Sequence, residues 1–223
     1  MGRIASQLNE IKLTLPPHVI LVAVSKFHPA EAIKEAYEAG QRVFGESRAV
    51  ELVKKAQELP DDIQWHFIGH LQTNKVRSIL PFVSLIHSID SERLLRLVDS
   101  EAARIGKVVD VLLQLHVAME ETKFGFTPEE MHGFASSGIL SELTHVRVRG
   151  VMGMASNVDD DERINADFRA IHKVFDELNA GVMRDNEAFD ILSMGMSDDY
   201  LDAIKCGSTM VRIGTTIFGN REY

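Results

Sequence analysis

The chain has 223 residues, 45% of them hydrophobic and 26% charged, the composition of a globular protein with enough apolar material for a sizeable core. Its formal net charge of −9 argues against a nonspecific nucleic-acid or anionic-membrane role, although whole-chain charge leaves a local basic pocket open. Residues 1–10 lack the apolar run of a signal peptide, no stretch approaches the roughly 20 apolar residues of a membrane span, and Cys206 is the only cysteine, so a cytoplasmic protein without disulfides or cysteine-held zinc is expected.

A helix opens the chain over residues 3–14. Apolar, β-branched runs then predict strands at 19–24, 43–45, 65–69, 85–89, 108–116, 146–152, 189–193 and 210–213, each followed by a helical stretch. Helical spacing is clearest over 29–39, 49–58, 91–105, 128–135, 163–179 and 199–206. The first of these shows how they read: Pro29 sits in its first turn and Gly40 at its C-terminal stop. The acidic residues Asp159, Asp160, Asp161 and Glu162 complement the dipole of the 163–179 helix, which is preferred to a metal site. Cys206 reads as a small buried apolar residue. Eight consecutive pairs without a linker favour a closed barrel over an open sheet: an α/β fold, one (β/α)8 TIM barrel over residues 1–223, with short loops and no room for an added domain.

Active sites in such barrels lie where the strands end. Lys26 follows the first apolar run and precedes Pro29, which puts an amine at the rim. In a partly desolvated pocket beside another cation its charged form is disfavoured and it becomes a nucleophile toward aldehydes, but position alone favours a solvated loop lysine. The loops after the last two strands carry Ser197 and Gly214-Thr215, and phosphate groups are commonly held there by backbone N–H groups and hydroxyls. Arg212, near the end of an inward-facing strand, is costly unless it meets an acceptor. His66 and His70 flank an apolar strand and do not read as a zinc pair. His87 and His116 read as inward-facing strand residues, either packed or lining a pocket. The glycines around Met152 suit close backbone packing as well as ligand contact.

With these residues in place the chain resembles the pyridoxal phosphate homeostasis proteins (the YggS/PROSC-like family). The resemblance rests on Val24-Ser25-Lys26, Phe44-Gly45-Glu46, the block from Trp65 to Lys75, Lys123-Phe124-Gly125, Leu192-Ser193-Met194-Gly195-Met196-Ser197-Asp198, Val211-Arg212-Ile213-Gly214 and Ile217-Phe218-Gly219, running in order from Leu21 to Arg221. It implies a barrel similar to the alanine racemase N-terminal domain, the type III pyridoxal phosphate (PLP) fold, with PLP bound covalently as a Schiff base on Lys26. It further implies that Arg212 faces the pyridine nitrogen, that Ser197, Gly214 and Thr215 hold the phosphate, and that Met152, Ser193 and the His70 region line the pocket.

The family is regarded as non-catalytic, holding or delivering PLP and keeping vitamin B6 and amino-acid pools balanced. Expected partners are therefore PLP and, transiently, apo PLP enzymes, on a monomer or weak dimer. An arginine at the ring nitrogen disfavours strong carbanion stabilisation. Racemases with the same arginine add a tyrosine acid/base from another domain, and none of Tyr37, Tyr200 and Tyr223 stands where it would replace that group. The enzyme alternative is a PLP-dependent amino-acid racemase. Two departures concern the pocket wall: Ser47 and Arg48 stand where the family has asparagine and commonly tyrosine, and His116 stands where it commonly has asparagine.

Overall fold

A computed structural model describes residues 2–119 and 124–219. Helix α1 (Arg3–Thr14) precedes strand β1 (Ile20–Val24), and strands and helices then alternate: α2 (Ala30–Glu38), β2 (Val43–Glu46), α3 (Ala49–Glu58), β3 (Gln64–Phe67), α4 (Val76–Ile79), β4 (Val83–Ile89), α5 (Glu92–Arg104) and β5 (Val109–Gln114). Two helices, α6 (Pro128–Ser136) and α7 (Ile139–Glu142), lead to β6 (Val146–Met152). The remainder is α8 (Asp161–Ala180), β7 (Ile191–Ser193), α9 (Tyr200–Lys205), β8 (Met210–Ile213) and α10 (Thr215–Phe218). The strands close in sequence order, and β8 pairs in parallel with β1 through Ile20 opposite Met210 and Ala23 opposite Ile213. This is the expected (β/α)8 barrel.

The period of two along each strand divides the side chains into two cores. Outward-facing residues such as Ala23, Phe44, Trp65, Phe67, Val111, Leu192 and Val211 pack against the helices in one large cluster. Inward-facing Val22, Leu85, Leu112, Met152, Ile191 and Met210 fill the barrel. At the N-terminal end of the strands, Arg149 bridges Asp110 (2.9 Å) and Asp190 (2.9 Å), and Arg147 pairs with Asp110 at 2.6 Å. Helix starts are set locally. Thr127 and Glu130 form a reciprocal capping box before α6, and the Asp160 side chain accepts from the amides of Glu162 and Arg163, so the acidic cluster does cap α8. Among the described residues no helix is long and apolar enough to cross a membrane.

Some expectations need correction. β5 ends at Gln114 and not at residue 116, because the amide of His116 donates to Phe126 O at 2.8 Å in a separate bridge; His116 is a half-buried loop residue and not an inward strand residue. β7 begins at Ile191, since the preceding residues turn tightly, with the Asp190 amide donating to Ala188 O. Cys206 is half-buried and donates weakly from Sγ to Asn165 Oδ1 at 3.5 Å. Lys123, Arg221 and Tyr223 lie outside the described residues.

Candidate functional site

At the C-terminal mouth of the barrel a cavity of about 260 Å³ is lined by Val24, Lys26, His28, Ile68, Met154, Met196, Ser197, Asp198, Arg212, Gly214, Thr215 and Gly219. The fold therefore gathers Lys26, Ser197, Arg212, Gly214 and Thr215, which are far apart in sequence, around one space. Met152 and Ser193 lie deeper, buried beneath the cavity and not in its lining, and Ser193 reaches it through Arg212. His70 stands apart, bound to Asp90 (3.0 Å) and stacked on Phe124.

The two C-terminal loops converge because β7 and β8 are neighbours. The amide of Gly214 donates to Ser197 Oγ at 3.3 Å, and the Arg212 amide donates to Gly195 O at 3.0 Å. Gly195 has φ of +96°, and a Cβ there would meet the Ala203 Cβ at 2.6 Å, so the turn out of β7 requires glycine. At Gly214 a Cβ would lie 3.1 Å from Val24 O, which explains how β8 can run close to the end of β1 and leave room at the mouth.

Arg212 is 5% exposed and held from three directions: Nη1 donates to Ser193 O (2.9 Å) and Ser193 Oγ (2.7 Å), and Nη2 to Gly153 O (3.1 Å). Burial pushes its pKa down to about 10, opposed by the charge of Asp199, so the guanidinium stays protonated at neutral pH. Behind it runs a polar file. Ser193 Oγ is 3.2 Å from His87 Nδ1, and His87 Nε2 is 3.0 Å from His66 Nδ1. Burial lowers the pKa of His66 to about 3 and, together with His66 and Arg212, lowers that of His87 well below its ordinary value. Both rings are neutral at pH 7. The file has a consistent proton direction: with Ser193 Oγ accepting from Arg212 and donating to His87 Nδ1, His87 carries its proton on Nε2 and donates to His66.

Sequence reasoning missed Val24, His28, Ile68, Met154, Met196, Asp198 and Gly219 as lining residues. His28 and Ile68 follow strand ends, the one signal that would have selected them; Met154, Met196 and Asp198 enter through loop paths that periodicity does not encode. The pairing of His66 with His87 required β3 and β4 to lie side by side.

The family model of the alanine racemase N-terminal domain matches residues 1–222. The pyridoxal phosphate homeostasis protein of Schizosaccharomyces pombe is 41% identical over 208 residues, covering 92% of this chain and 85% of its own. Its namesake in Pseudomonas aeruginosa is 37% identical over 100% of this chain and 95% of its own. Among solved structures, PipY of Synechococcus elongatus with PLP bound superposes with a TM-score of 0.89 at 37% identity, covering 97% of this chain and 100% of PipY. An alanine racemase of Clostridium difficile in complex with cycloserine, 18% identical, shares the fold with a TM-score of 0.80 over 99% of this chain and 60% of its own. The chain thus belongs to the alanine racemase N-terminal domain family and, within it, to the pyridoxal phosphate homeostasis proteins.

Proposed function

We propose that this protein binds PLP at the mouth of the barrel, anchors it as a Schiff base on Lys26, and serves intracellular PLP and amino-acid homeostasis without catalytic turnover. The observation that carries the reading is the convergence on one cavity of an amine, a buried cation and a hydroxyl-and-amide loop pair, the three groups that an aldehyde, a ring nitrogen and a phosphate require. Lys26 Nζ would hold the aldehyde carbon as a Schiff base, with water as the leaving group. Arg212 would donate toward the ring nitrogen and disfavour its protonation, and Ser197 with the amides of Gly214 and Thr215 would hold the phosphate. Met152 and Ser193 support the floor from below, Ser193 by fixing Arg212. PLP bound to the neighbour PipY and the naming of the relatives support the cofactor.

Absence of turnover fits the two described tyrosines. Tyr37 donates to Asp62 at 2.8 Å and Tyr200 pairs with Thr14 at 3.0 Å, so neither faces the cavity as an opposing acid or base. An observation on the side of a racemase-like enzyme is His28 in the lining, its ring stacked on Phe218 at 5.1 Å. On the carrier reading the protein is cytoplasmic, a monomer or weak dimer, and meets apo PLP enzymes transiently to deliver the cofactor.

The test is borohydride reduction after incubation with PLP, followed by peptide mass mapping. A phosphopyridoxyl mass on Lys26 is expected. A label on Lys75 or Lys123 instead, or no visible absorbance on adding PLP, would overturn the assignment.

A further inference from the structure

The outer face of the barrel beside Lys26 holds a buried ionic group that the cofactor site does not itself use. Lys55 of α3 is 6% exposed, and Glu46 at the end of β2 is fully buried. The Lys55 ammonium has three donors and meets three acceptors: Ser25 O at 2.9 Å, Glu46 Oε1 at 2.8 Å and Glu51 Oε2 at 3.3 Å. Ser25 Oγ donates to the same Glu46 oxygen at 2.6 Å, and Glu51 Oε2 accepts from the Phe27 amide at 2.9 Å. The residues on either side of Lys26 are thus tied to one cluster.

Phe27 has φ of +67°, and among the described residues it is the non-glycine with a positive φ. A bulky residue in that region is unfavourable and persists only where its surroundings impose it. The imposing contacts are the Glu51 carboxylate on its amide and the Arg48 guanidinium 4.4 Å over its ring. Just past the end of β1, Ser25 meets the cluster through its hydroxyl and carbonyl oxygen while the next residue, Lys26, lines the cavity. Burial raises the pKa of Glu46, and the neighbouring Lys55 ammonium and Ser25 hydroxyl offset part of that rise.

We infer that Lys55, with Glu46 and Glu51, is a positioning group that staples the segment from Ser25 to His28 from outside the barrel and so aims Lys26 into the cavity. The cofactor part of this inference rests on the proposed role of Lys26; the staple itself does not. A side chain that must meet an aldehyde gains from a backbone fixed in advance, because misaim of about 1 Å is expensive in reactivity.

Amide hydrogen exchange on the full chain without added cofactor reads the staple directly. Lys55→Met should speed exchange at Phe27 and His28 about tenfold or more while the β1 amides keep their protection. Because removing one partner strands a buried charge, Glu46→Gln/Lys55→Met is measured alongside; with both charges gone it should regain thermal stability. Glu51→Ala, at a partly exposed position, should release the Phe27 amide alone. In the double variant, PLP affinity should remain down about tenfold and the circular dichroism of the visible band at saturation should remain weak. Exchange at Phe27 and His28 within about twofold of wild type in all three variants would overturn the staple. Cofactor affinity and dichroism returning together with stability in the double variant would reduce the cluster to a support of the fold. If wild type shows no visible band with PLP, the anchor role of Lys26 fails, and the exchange measurement still decides the staple.

Discussion

Nε2 of His87 lies 3.0 Å from Nδ1 of His66, one proton shared between two buried neutral rings inside the barrel. Folding therefore lowers the affinity of both rings for protons, while the unfolded chain binds them near the ordinary value of 6.5. Stability from this pair is full above about pH 6.5 and is lost as pH falls toward 3, because there the unfolded state binds more protons than the folded one. Urea unfolding from pH 7 to 5 should show stability falling by up to about 1.4 kcal/mol per pH unit for each histidine once below pH 6. Replacing the pair by His66→Phe and His87→Leu should flatten that slope; an unchanged slope would mean that the rings are not the titrating groups.

Arg212 should separate binding from folding. Arg212→Met removes donors from Ser193 O and Gly153 O but also removes a buried cation, so the two effects offset and stability should change by only about 1–2 kcal/mol. Affinity for PLP should fall by about tenfold to a hundredfold, measured by absorbance titration beside thermal unfolding. Equal affinity in the variant would take Arg212 out of the site.

The phosphate loops can be probed by comparing PLP with pyridoxal. Gly214→Val pushes a side chain against the backbone of Val24, where even a Cβ would sit 3.1 Å from the carbonyl oxygen, and displaces the Gly214 amide. Ser197→Ala removes the hydroxyl that gathers the same amide. Both should weaken PLP binding about tenfold and leave pyridoxal binding within about twofold. Equal losses for the two ligands would point to collapse of the cavity and not to phosphate recognition.

Gly195→Ala tests the turn that joins β7 to the Ser197 loop. Its φ of +96° and the 2.6 Å approach to Ala203 predict a loss of about 1–3 kcal/mol in chemical unfolding and a weaker PLP complex. A neutral effect on both would show that the loop reaches the cavity without that turn.

Loss of the α-proton in deuterated water, followed by NMR across a panel of amino acids with PLP-loaded protein, addresses turnover. Exchange far below ordinary enzymatic turnover, about 1–1000 per second, is expected. Exchange within that range, abolished by His28→Ala, would favour the racemase-like reading.

The barrel was legible because its strands are apolar runs whose ends are punctuated, and the mouth residues Lys26, Ser197, Arg212, Gly214 and Thr215 were legible because function in this fold sits at strand ends. Ser193 and Met152 lie below the cavity lining: period two says that they face inward, but not how far below the mouth they lie. His116 misled for the opposite reason, since a run of β-forming residues continued past the point where the chain leaves the sheet for Phe126. Lys55 gave no sign at all. On α3 it reads as one more charged helix residue, and only the closing of β2 against β1 brings Ser25 and Glu46 to it.

The ion pairs of Asp110, Arg147, Arg149 and Asp190 lie at the end of the barrel opposite the cavity, and the apolar layer from Val22 to Met210 fills the space between. The cavity opens at the mouth of the barrel. On the proposed carrier role, loading and unloading share that mouth, so a recipient seated over the rim would hold off the next molecule of cofactor until it departs, and exchange would proceed by turns and not by flow-through.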